Sequence, residues 1–376
     1  MAAVLGHWDA AFGPLTQAFV EEVADGTERG ALCVMDRGRV VVDICGGLAG
    51  PGQLWTAQTL ACCFSVTKGV LSLLAHRLID EGRIAPETRI AALWPGFGVN
   101  GKERLTLVDV LTHRAGLPAV TGQVAAGDLY DWDRMVAHLA ASAPVAPVQA
   151  EPVYHNMTYG HVLGEVLCRA TGVRPLSRLL RETVTDPLGA DFHLGLAPAA
   201  MARCAQLSQE APEALFAALA EDPESLFARS MAFFARDEDF NTLRWRSAEI
   251  GSGSGHATAR AIALLYGQFI WAGALLSPAR QAALRREQAR TAADPVLGIP
   301  LRLGQGVELS LPPALDFGPG DDTPGHWGAG GAQGFADPAT GLSFGYVTGH
   351  MAAEMGSSAR CRRYVAALYA SLGGVA

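Results

Sequence analysis

Strand signals stand near the two ends of this chain and helical signals fill the space between, an order that few architectures can accommodate. Residues 31–35 and 40–44 are apolar runs separated by Asp36-Arg37-Gly38-Arg39, the pattern of a β-hairpin. Residues 334–336 and 342–347 flank Asp337-Pro338-Ala339-Thr340-Gly341 in the same way. Apolar spacing predicts helices over 14–24 and 67–79, and residues 91–248, rich in Ala, Leu, Glu and Arg, read as mostly helix. Residues 258–271 and 278–290 continue that style, and a last helix is expected over 358–372. The arrangement that reconciles these signals is an α+β fold, an antiparallel sheet formed by both chain ends and flanked by helices, with a mostly helical inserted domain. The expected division is residues 1–90 with 250–376 as the sheet domain and 91–249 as the helical domain, with the active site in the cleft between them.

Composition narrows the function. Hydrophobic residues make up 49% of the 376 and charged residues 18%, the balance of a folded globular chain. The net charge of −8, with no long basic run, argues against nucleic acid and anionic membranes as partners. The N-terminal MAAVLGHWDAAFGPL lacks a basic start followed by a long apolar run, and no stretch of about 18 apolar residues occurs, so neither a secretory signal nor a membrane span is expected. The seven cysteines (Cys33, Cys45, Cys62, Cys63, Cys168, Cys204, Cys361) form no zinc spacing and read as reduced core thiols of a cytoplasmic protein. No His-Glu-x-x-His occurs, so no metal is expected, nor any cofactor. Gly96-Phe97-Gly98-Val99-Asn100-Gly101-Lys102-Glu103 has the spacing of a phosphate loop but lacks its Ser/Thr and a preceding strand. The serines of Gly251-Ser252-Gly253-Ser254-Gly255 are out of step with a nucleophile elbow.

Three segments carry chemistry. In Phe64-Ser65-Val66-Thr67-Lys68, Ser and Lys at i and i+3 share one face of a helix. The Ser65 amide falls among the unsatisfied N–H groups of a first helical turn and can serve as one arm of an oxyanion hole. Apolar flanks (Phe64, Val70, Leu71) should desolvate Lys68 and lower its pKa, making it a base at neutral pH. The plainer alternative for Ser65 is a helix N-cap. Tyr154-His155-Asn156 precedes a helical stretch; a phenol beside an ammonium loses its proton more easily and can relay it, and Asn156 offers an amide to a substrate carbonyl or to Lys68. In Gly325-His326-Trp327-Gly328-Ala329-Gly330-Gly331 the glycines would let an edge strand approach a ligand, the Ala329 amide would complete the oxyanion hole, and His326 would point into the same cleft. His113, before Arg114-Ala115-Gly116-Leu117-Pro118, reads as a structural helix-end residue.

In this order and at these separations the three segments resemble the serine β-lactamase-like superfamily, which includes class C β-lactamases, D,D-peptidases and family VIII carboxylesterases. The resemblance is nearest to the family VIII esterases. It extends to Leu111-Thr112-His113-Arg114-Ala115-Gly116-Leu117-Pro118, Gly255-His256-Ala257-Thr258-Ala259-Arg260 and Gly334-Phe335-Ala336-Asp337-Pro338. It implies the β-lactamase/transpeptidase-like fold. It also implies Ser65, Lys68 and Tyr154 as catalytic residues, the Ser65 and Ala329 amides as the oxyanion hole, and Asn156, His326, Trp327 and Gly328 as substrate-binding residues. Two departures stand out. His326-Trp327-Gly328 replaces Lys-Thr-Gly, removing the cation that usually holds a β-lactam carboxylate, which favours an esterase-like member. The Glu-Pro-Gly turn before the Tyr is absent, the chain reading Gln149-Ala150-Glu151-Pro152-Val153.

The expected activity is hydrolysis of a carboxylic ester or related acyl bond of a small molecule through a Ser65 acyl-enzyme. The alternatives are an acyltransferase or macrocyclising thioesterase with the same nucleophile, a weak β-lactamase or D-aminopeptidase activity, and a non-catalytic binding scaffold. The sequence leaves the oligomeric state open.

Overall fold

The computed structural model describes residues 4–208, 222–234 and 238–373. Its largest feature is a nine-stranded antiparallel sheet. In chain order its strands are β1 (Leu5–Trp8), β2 (Gly30–Asp36), β3 (Arg39–Gly46), β4 (Ala289–Thr291), β5 (Leu301–Leu303), β6 (Glu308–Leu309), β7 (Pro324–Trp327), β8 (Gln333–Asp337) and β9 (Leu342–Thr348). Their spatial order is β1-β3-β2-β9-β8-β7-β6-β5-β4. The two ends of the chain meet where β9 pairs with β2, Phe344 opposite Val34.

The β2–β3 turn forms because Arg37 (φ 46°) and Gly38 (φ 87°) both take the left-handed conformation that a two-residue hairpin of matching twist requires. Residues 31–35 read as one continuous apolar run because both faces of β2 are covered. On one face lie helices α1 (Gly13–Ala24) and the C-terminal Ala359–Gly373, with the Phe19 and Tyr364 rings 5.9 Å apart. On the other lies Ala259–Gly267, which can approach only because β9 carries Gly345: a Cβ there would stand 2.2 Å from the Ala259 carbonyl oxygen.

Helix α2 (Val66–Asp80) is buried along nearly its whole length. A three-stranded ladder holds the chain just before it, Ala61–Cys62 pairing with His256–Ala257, which pairs in turn with Phe192–His193.

Three expectations are corrected. Residues 278–290 are not one helix: it stops at Arg285 and Ala289–Thr291 becomes β4, drawn into the sheet by pairing with β5. The segment between 91 and 248 is less helical than its composition suggests, with helices such as Leu107–Leu111, Trp132–Ala141 and Thr158–Thr171 joined by long loops; residues 209–221 and 235–237 of it lie outside the described residues. Strand β7 is also not an edge, being paired on both sides by β6 and β8.

Candidate active site

Ser65 sits at the start of α2 with helical φ/ψ and makes no side-chain cap bond, so its hydroxyl is free for chemistry. The segment before it is pinned by the Cys63 N–H on the Gly255 carbonyl (2.9 Å), and Phe64 takes φ 43°, a left-handed conformation uncommon for a bulky residue. One turn into the helix, Lys68 Nζ lies 2.9 Å from Ser65 Oγ and 2.9 Å from the Ser252 carbonyl oxygen. Burial, opposed by the Glu308 carboxyl, lowers the Lys68 pKa to about 7. The amine is thus available as a base close to neutrality, as the apolar flanks predicted.

Tyr154 enters the same cleft as Ser65. Its backbone N–H is held by Asp294 Oδ2 at 2.7 Å, and its ring stacks on His113 at 4.7 Å. Lys68 Nζ lies over the ring face, 4.8 Å from its centroid. The expectation of an easily ionised phenol is corrected. Burial and the nearby Glu308 push its pKa well up, the Ser65 side chain pulling the other way, so Tyr154 rests protonated and is suited to donate.

The cleft has a volume of about 840 Å³ and is walled chiefly by Phe64, Phe227, Met231, Phe234, Phe240, Trp245, Leu297, Trp327 and Met351. Phe240 and Trp245 meet edge to face at 4.8 Å. Among the described residues Glu354 is the one charged side chain on its lining. Asn156 also lines it, with its amide nitrogen 3.0 Å from the Met231 sulfur. Ala329 faces it across from Ser65, and among the described residues neither of these two backbone N–H groups donates a hydrogen bond to another backbone group.

His326 and Gly328 do not line the cleft. Side chains alternate along β7, so while Trp327 faces the cleft, His326 turns to the other side. There its Nδ1 lies 2.7 Å from the Trp327 carbonyl oxygen and burial lowers its pKa to about 3, so it is a neutral, buried ring and not a substitute cation. Gly328 packs on the backbone just before Ser65, where a Cβ would stand 2.3 Å from the Cys63 carbonyl oxygen.

Two residues, Ser252 and Glu308, escaped the sequence reading, and a third, His113, was read as structural. Ser252 gives its carbonyl to Lys68 and its hydroxyl to the Met157 carbonyl (2.8 Å), inside the glycine-serine run set aside as a false elbow. His113, at φ 56°, is a platform between the Tyr154 and Tyr159 rings, and its Nδ1 accepts the His155 N–H at 2.9 Å. Glu308 is a fully buried acid near Lys68 that no motif marks. The phosphate-loop lookalike is structural, Lys102 donating to the Ala140 (3.2 Å) and Ser142 carbonyls. The seven cysteines are buried and unbridged. Among the described residues no group of three or more His, Cys, Asp or Glu is set to hold a metal ion, and no helix is long and apolar enough to cross a membrane.

The family model described as Beta-lactamase matches residues 15–367. The chain belongs to the beta-lactamase family. It is a serine hydrolase of that kind, with the β-lactamase/transpeptidase-like fold. Among curated proteins it is 34% identical over 335 residues to the esterase/beta-lactamase LipL of Mycobacterium tuberculosis, covering 85% of this chain and 76% of LipL. Among solved structures it is similar to a penicillin-binding protein homologue from Caulobacter crescentus (TM-score 0.87, 33% identity, 98% of this chain and all of that one). A family VIII carboxylesterase is comparable (TM-score 0.85, 32% identity, 98% and 100% covered). EstA from Arthrobacter nitroguajacolicus follows (TM-score 0.84, 26% identity, 98% and 99% covered).

Proposed function

We propose that this family member is a carboxylesterase that cleaves small, uncharged, apolar esters through a Ser65 acyl-enzyme. The observation that carries the reading is the Lys68 amine, free near neutral pH and 2.9 Å from the Ser65 hydroxyl at the edge of an apolar cleft. Lys68 takes the Ser65 proton as Oγ attacks the acyl carbon, and the free amides of Ser65 and Ala329 hold the oxyanion. Tyr154, protonated at rest, delivers a proton to the leaving alkoxide and recovers one from Lys68. Water then releases the acyl group by the same steps in reverse.

The relatives described as esterases support the bond type. The walls of the cleft support the substrate class, because among the described residues they carry no cation to receive the carboxylate of a β-lactam or a peptide. The same apolar wall favours, as a second reading, transfer of the acyl group to an alcohol that displaces water from the cleft.

The test is turnover of p-nitrophenyl esters by the wild type, Ser65→Ala and Lys68→Ala, with intact mass after a fluorophosphonate probe. Wild type should gain one adduct and Ser65→Ala none. Near-native turnover by both variants would refute the mechanism. Ester formation when an alcohol is added would support the second reading.

A further inference from the structure

We propose that Glu308 is a positioning residue of the reaction, its carboxylate serving as the counter-ion to the ammonium that Lys68 becomes when it takes the Ser65 proton. The inference rests on the Ser65–Lys68 reading above and adds to it a group on the far side of the lysine, outside the substrate cleft.

Glu308 opens β6, paired with Gly325 of β7, and is 1% exposed. It shares with Lys68, His113, Tyr159 and His326 a closed space of about 190 Å³ behind the cleft. Among the described residues neither carboxyl oxygen makes a hydrogen bond of ordinary geometry, and the backbone and indole N–H groups of Trp327 lie close enough to temper the effect of burial on its pKa. His326 Nδ1, 3.7 Å away, is committed to the Trp327 carbonyl. Asp294 shows what a structural buried acid looks like in this fold: it accepts the backbone N–H groups of Tyr154, Val296 and Leu297. An acid kept dry, with no well-formed hydrogen bond to repay its burial, is a cost that packing does not explain, and such groups gather where charge develops in a reaction.

The other ionisable groups around the pair do not change charge near neutrality. On their separate elements His113, His155 and His326 are held neutral by burial, while Tyr154, Tyr159 and Tyr266 keep their protons. Burial raises the pKa of Asp294, and its three amide donors oppose the rise. Lys68, brought to about 7, and Glu308, raised to about 8, are left facing each other as a coupled pair, each favouring the other's charged form, and Glu308 is the carboxylate on the alkaline side of that range. In acylation the Ser65 O–H bond breaks, its electron pair forms the bond to the acyl carbon, and its proton goes to Lys68 Nζ. The new ammonium forms out of reach of solvent, where a nearby carboxylate counts most. When the tetrahedral intermediate collapses the proton leaves through Tyr154 to the alkoxide, and Lys68 is a free amine again.

Glu308→Gln keeps the shape and removes the charge. Without the anion Lys68 gives up its proton at lower pH, and the ammonium formed in the reaction loses its counter-ion. The acid limb of kcat/KM for a neutral ester should therefore move down by about one pH unit or more, and the plateau should fall about tenfold or more. Glu308→Asp, which retains a carboxylate, should leave the limb in place, and the wild-type limb should show two coupled protonations. A Glu308→Gln limb that stays put, whether or not the plateau falls, overturns the proposal, as does a single-proton wild-type limb if that variant does not fold. Fluorophosphonate labelling of the wild type separates the two levels. An adduct on Ser65 with an unmoved limb removes only the role of Glu308, whereas no adduct removes the nucleophile and this proposal with it.

Discussion

Gly328→Ala should cripple the enzyme without touching a side chain that reacts. The added Cβ would stand 2.3 Å from the Cys63 carbonyl oxygen and 3.3 Å from Phe64 Cβ, and real Cβ atoms essentially never approach another atom within 3.0 Å. The end of β7 and the segment leading to Ser65 must therefore separate by at least about 0.7 Å. Neither side can yield cheaply. The Cys63 N–H is tied to Gly255, and the Gly328 N–H is tied to the Ala332 carbonyl at 2.7 Å. The displacement falls between the two amides proposed to hold the oxyanion. Misplacement of that order costs about 10²-fold in rate, comparable to losing one arm of the hole. The loss should appear in kcat more than in KM, because the hole is filled only in the transition state. Overpacking should also cost about 1–3 kcal/mol of stability. The assay is steady-state hydrolysis of a p-nitrophenyl ester beside a melting curve. Gly96→Ala, where a Cβ meets nothing within 4 Å, is the control and should be silent in both. Near-native kcat in a folded Gly328→Ala protein would show that this contact does not set the spacing of the hole.

Three further outcomes follow from the burial of the site. Lys68→Met should abolish turnover and raise the melting temperature at neutral pH. Folding keeps Lys68 neutral down to about pH 7 while the unfolded chain holds its proton up to about 10.5, so unfolding takes up a proton in that window and wild-type stability climbs with pH across it. The advantage of the Met variant should therefore shrink toward alkaline pH, and a constant difference in melting temperature would contradict it. Burial raises the Cys62 thiol to about 12 and Cys63 higher still, so a maleimide should leave the native enzyme unlabelled at both and fully active, as peptide mapping would check. A half-ester carrying a free carboxylate should have kcat/KM at least about tenfold below its neutral isostere, since desolvating that charge meets no cation among the described residues of the cleft; parity between the two would sink the assignment of substrate class.

What the sequence could and could not disclose divides along a physical line. Local signals were readable. The Arg37-Gly38 turn between apolar runs dictates the hairpin, and Ser and Lys three apart on a helix dictate that their side chains meet. The short strands β4, β5 and β6 were not readable, because two or three residues carry no usable period and their pairing is set by neighbours far along the chain. The site divides the same way. Tyr154 could be named from its motif. The strand alternation that turns His326 away from the cleft while Trp327 enters it depends on where β7 starts, and no glycine pattern gives that register.

Glu308 shows the limit most clearly. In sequence it is one acid in Val307-Glu308-Leu309, indistinguishable from a surface residue on a short strand. Its meaning lies in what surrounds it: a lysine from α2, a histidine from β7, and no well-formed hydrogen bond to its oxygens. The property that makes Lys68 a base, its removal from water, is also what lets an acid beyond bonding distance act on it, since water would screen that field. A lysine desolvated without such an acid would be a freer amine but a poorer acceptor, because the ammonium it must become would have no compensation. The pairing of a lowered amine with a raised carboxyl in one dry pocket lets the site hold the lysine free at rest and still accept a proton in the transition state, and it is readable only once both chain ends have been brought into one sheet.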